Sequence, residues 1–80
     1  MAHLPMDDAR MLFNDNKQMT WSGLYQVLQQ RRGKAEGISD TLIVLMMPIV
    51  QRMEQSKQPY PQSVQELEMV LNKELQKVPA

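Results

Sequence analysis

Cysteine is absent from this 80-residue chain. Its absence removes disulfides, thiolate metal ligands and cysteine nucleophiles together. Small domains in oxidising compartments are commonly stapled by disulfides, so an unstapled one is expected in the cytoplasm. Aromatics are scarce, with one Phe, one Trp and two Tyr, so the core must rely on Leu, Ile, Val and Met. Net charge is missing as well, because nine basic residues balance nine acidic ones. A neutral chain has no long-range field to steer it onto nucleic acid or anionic lipid, and little repulsion to oppose self-association. The N-terminal stretch Met-Ala-His-Leu-Pro-Met-Asp-Asp has neither the basic region nor the apolar core of a signal peptide. The longest apolar run, Leu42 to Val50, has nine residues, against the roughly 18–20 that span a bilayer. No membrane role is expected.

Reactive chemistry is equally sparse. His3 is the only histidine and sits beside the N-terminus, where neither a fixed position nor an orienting partner is expected. Asp7 and Asp8 are adjacent, so on a helix they point about 100° apart and cannot share a site. One histidine, no cysteine and no spaced carboxylate loop give no metal site. The expectation is a chain that is not an enzyme, with no cofactor and no small-molecule substrate.

What is present is a helical pattern over a single domain, residues 1–80. A short first helix is predicted from Pro5 to Asn14, with Pro5 at its first position, Asp7 and Asp8 favoured by the dipole, and Met6, Ala9 and Phe13 on one face. Asn14-Asp15-Asn16 reads as a break. The second helix follows Thr20 as N-cap, with Trp21, Leu24, Tyr25 and Leu28 at i, i+3, i+4, i+7. It ends on Arg31 and Arg32 with Gly33 beyond, and Gly33 to Gly37 is a connector. The third helix starts at Ser39 or Asp40 and reaches about Lys57. The Gln58-Pro59-Tyr60-Pro61-Gln62 stretch is a stiff link. The fourth helix opens with a Ser63/Glu66 capping box and carries the stripe Val64, Leu67, Leu71, Leu75, Val78, with Val70 beside it.

The apolar run lies in the third helix. At 100° per residue, Leu42, Met46, Ile49, Val50 and Met53 share one face, with Ile43 at its edge. Val44, Leu45 and Met47 fall outside that stripe, spread over the back and both flanks. Pro48 also lies on the back, has no N–H for the Val44 carbonyl, and predicts a kink or a division into two short helices.

The expected fold is therefore all-α: three longer helices plus a short N-terminal one, the third central and kinked at Pro48. Two functional readings follow. The first is a non-enzymatic protein–protein interaction module, an adaptor, inhibitor or assembly factor. It would bind another protein or a second copy of itself through Val44, Leu45 and Met47, aided by adaptable methionines. The alternative is a small helix-turn-helix-like DNA-binding regulator using Arg31, Arg32 and Lys34. Against it, the element placed as a recognition helix is the apolar run, which has no side chain for a base edge or a phosphate. An acyl carrier protein has a similar length and helix count. However, Ser39-Asp40-Thr41 departs from the Asp-Ser-Leu motif of such carriers, and the helix has no acid between Asp40 and Glu54.

Overall fold

The computed structural model describes residues 3–34 and 38–77. Ala35, Glu36 and Gly37 of the expected connector and Val78 of the expected last stripe lie outside them. The protein is all-α. The described residues form four helices and no strand: α1 Met6–Asp15, α2 Trp21–Arg31, α3 Asp40–Gln55 and α4 Val64–Leu75.

Side-chain caps set three of the four starts. Thr20 Oγ1 accepts from Gly23 N–H at 3.0 Å, Ser39 Oγ from Leu42 N–H at 3.2 Å, and Ser63 Oγ from Glu66 N–H at 3.2 Å. Each satisfies an amide that the helix itself cannot pair. Glu66 reaches back to Gln62 N–H at 3.0 Å, one residue earlier than a capping box requires. Pro5 stands at the N-cap of α1, not at its first helical position, and α1 continues through Asp15 before breaking at Asn16. Past α2, Gly33 has a left-handed backbone, φ +80°, and its N–H donates to Asp40 Oδ1 at 2.8 Å. That bond joins the end of α2 to the start of α3.

Pro48 lies inside α3, which is one uninterrupted helix and not two short ones. The missing amide belongs to the Val44–Pro48 pair, and both residues are exposed. The carbonyl that Pro48 leaves unserved therefore faces water, which limits its cost. After Gln55 the chain turns off in a Schellman arrangement: Gln58 N–H donates to Met53 O at 3.1 Å and Lys57 N–H to Glu54 O at 3.0 Å. Lys57 holds the left-handed position, φ +55°.

The helices close a ring. α2 packs on α3, α3 on α4, α4 on α1 and α1 on α2, while among the described residues the opposite pairs do not meet. The short first helix thus has two neighbours, like the others. The buried core fills the ring: Ala9 and Leu12 from α1, Trp21, Leu24 and Leu28 from α2, Leu42, Ile43, Met46, Ile49 and Val50 from α3, Leu67, Leu71 and Leu75 from α4. Leu4 and Ile38 join from outside the helices. Leu4 is held by Asn72, a buried polar residue in the last turn of α4. Asn72 Oδ1 accepts from Leu4 N–H at 2.7 Å, and its Nδ2 donates to Leu4 O at 3.0 Å. The amide reads the backbone as a neighbouring strand would, so the segment before α1 is strapped to α4.

Candidate functional site

The three apolar residues of α3 that lie off its main stripe do not form one patch. Val44 is 42% exposed. Leu45 and Met47 are half-buried and packed against the core. At 100° per residue they lie about 160° apart, on opposite flanks, with Val44 between them. Neighbouring helices thus draw in both flanks and leave one valine in solvent.

The basic cluster is also divided. The Arg31 guanidinium pairs with the Asp15 carboxylate across the α1–α2 corner, so its charge is neutralised within the molecule. Arg32 and Lys34 are exposed.

A larger feature lies on another face. A groove of about 530 Å³ runs between the C-terminal half of α3, the Gln58–Gln62 link and α4. Met53, Tyr60, Val70 and the edge of Trp21 line it, Pro59 and Pro61 close one end, and Lys73 and Lys77 border the other. A smaller hollow of about 310 Å³ continues past Trp21 and Tyr60 to Met19. The two share Trp21, Gln58 and Tyr60. Among the described residues the exposed large hydrophobics are Met19 at 42%, Val44 at 42% and Met69 at 66%. Met69 lines the larger hollow and Met19 the smaller one. Met19 also has a left-handed backbone, φ +53°, a conformation that costs a non-glycine residue about 1–2 kcal/mol.

The wall between the hollows is built by aromatics. The Tyr60 ring stacks on Phe13 with centroids 6.2 Å apart and meets Trp21 edge-on at 5.1 Å. Trp21 Nε1 donates to Gln58 O at 3.0 Å. Pro61 is buried and Tyr60 half-buried, so the Pro-Tyr-Pro link is a pinned turn and not a free segment. Burial pushes the Tyr60 phenol above its ordinary pKa, and the neighbouring Asn16 side chain opposes that shift. Among the described residues neither the Tyr60 hydroxyl nor Asn16 Oδ1 completes a hydrogen bond.

At the α4 end of the groove, Glu74 is the hub of an ion triad. Lys77 Nζ lies 2.9 Å from Oε2 and Arg52 Nη2 2.6 Å from Oε1. The Lys77 hydrogen bond, helped by that of Arg52, holds the Glu74 carboxyl below its ordinary pKa against the cost of desolvation.

Sequence reasoning missed Met19 and Met69 as surface features. Met69 is an isolated apolar residue on a polar helix face and Met19 lies in a loop, so neither belongs to a periodic pattern. Exposure against a neighbouring hollow is what marks them. Among the described residues no three His, Cys, Asp or Glu side chains gather to hold a metal, and no helix is long and apolar enough to cross a membrane. Compared with known proteins, the chain matches no family model, no curated protein and no solved structure.

Proposed function

We propose that this chain is a non-enzymatic interaction module, a small adaptor, inhibitor or assembly factor, that binds a segment of another protein in the groove between α3, the proline link and α4. The observation that carries the reading is that Met69 and Met19, two of the three exposed large hydrophobics among the described residues, line two adjoining hollows that share Trp21, Gln58 and Tyr60. A lone exposed hydrophobic, such as Val44, is normal on a protein surface. Two exposed methionines lining adjoining hollows form a surface that adapts to a partner's side chains. The groove replaces the back of α3 as the favoured contact, because Leu45 and Met47 are half-buried there. The DNA-binding alternative gains nothing from the fold, since Arg31 is already paired with Asp15.

The test is comparative capture from the native host with three baits: the unaltered chain, Met69→Lys and Val44→Lys. A partner retained by the first and third baits and lost from the second, with helical circular dichroism equal in all three, supports the groove. A partner lost only with Val44→Lys assigns the contact to α3. Light scattering on the same variants detects whether a second copy is the partner.

A further inference from the structure

We infer that the occupant of the groove is an amphipathic helix whose acidic side chains lie over the C-terminal end of α4. The inference rests on the docking reading above and specifies the partner's chemistry. Two observations carry it.

The first is the state of the backbone in the link. An extended peptide that adds to an edge needs a row of free N–H and C=O groups. Here Pro59 and Pro61 have no N–H, Gln58 N–H donates to Met53 O, Gln58 O accepts from Trp21, and Gln62 N–H donates to Glu66. Tyr60 has the one remaining amide of the link. A helix arrives with its backbone already paired and asks only for apolar contact. Met53, Val70 and Met69 offer that, with the flexibility to fit its side chains.

The second observation is charge. In a chain of zero net charge, the α4 end of the groove is locally basic. Lys73 and Lys77 line the groove there beside Glu74, and Arg52, outside the lining, shares the Glu74 carboxylate with Lys77. Among the described residues Lys73 has no ion-pair partner. At the opposite end Glu66 is engaged by Gln62 N–H and sits in the first turn of α4. A rim positive at one end selects carboxylates beside the partner's apolar stripe and sets the direction in which the helix lies.

The experiment uses the whole chain with ¹³C-methyl methionine and two synthetic helical peptides of about 16 residues, roughly 24 Å long. Both carry leucines at i, i+3, i+4, i+7. One has Glu at the flanking positions of one end, and the other has Lys. The Glu peptide should shift the methyl signals of Met53, Met69 and Met19 and leave that of fully buried Met46 in place. It should bind about tenfold more tightly than the Lys peptide at low salt, and Lys73→Glu should remove most of that preference. Equal binding of both peptides in the groove overturns the acidic partner and leaves the docking reading standing. Shifts from neither peptide overturn the helix as occupant, and the capture experiment then decides the docking reading independently. Concentration-dependent shifts of the same methyls in the free protein name a second copy as the occupant and overturn this inference.

Discussion

At Gly23, an added methyl would stand 2.3 Å from Asn16 Oδ1, 3.0 Å from Gln18 Cβ and 3.2 Å from Thr20 Oγ1. Alanine inside a helix ordinarily gains about 1 kcal/mol over glycine. Here the α1–α2 loop is folded against the bare backbone, and Asn16 is held there by its bond to Thr20 O at 2.8 Å. Gly23→Ala should therefore destabilise the fold by about 1–3 kcal/mol in urea denaturation, with part of the loss recovered when Asn16→Ala is added. A single variant as stable as the unaltered chain would show that the loop moves aside freely. None of this is legible locally, because Gly23 falls inside an amphipathic pattern as a merely tolerated residue. The same holds for Asn72, which reads as the polar edge of a wheel. Its partner, Leu4, is 68 positions away and stands alone between His3 and Pro5, outside any period.

Elements were more legible than residues, and the reason is physical. The starts of α2, α3 and α4 depend on Thr20, Ser39 and Ser63, whose hydroxyls act within three residues along the chain. Such information is local, so pattern and structure coincide. The end of α3 is different. Lys57 occupies a left-handed position that glycine fills without strain. Lys57→Gly should raise stability by about 0.5–1 kcal/mol, the relief of strain exceeding the added freedom of the unfolded chain. Thermal unfolding followed by circular dichroism checks it, and an unchanged or lower Tm would mean that the lysine stem contributes packing of its own. The candidate site was less legible than the helices that frame it. Val44, Leu45 and Met47 were identifiable as apolar residues off the main stripe of α3, but which of them neighbours cover depends on helix pairing. The groove exists only where the link folds back.

For the molecule as a whole, the ring arrangement means that contacts at its joints are shared between neighbours. The α3–α4 joint is tied by Glu74, the buried carboxylate between Arg52 and Lys77. Its pKa is lower in the folded protein than the 4.5 of the free side chain, so the unfolded chain takes up the proton first as pH falls. The stabilisation is present above about pH 4.5 and is lost as pH drops through the folded value. Glu74→Gln should flatten this acid limb in denaturation curves collected across that range. It should also lower stability at neutral pH, because Arg52 and Lys77 lose their shared partner. An acid limb of unchanged steepness would place the pH dependence on other carboxylates.

The only tryptophan of the chain forms the wall between the two hollows, with its indole N–H bonded to Gln58 O and Tyr60 edge-on beside it. The protein therefore carries a built-in optical reporter at its candidate binding surface. Light absorbed by Tyr60 passes to Trp21 over the short distance between their rings, and the emission senses the link, the end of α3 and whatever lies in the groove. Unfolding and groove occupancy can be followed by the same emission without attaching a dye.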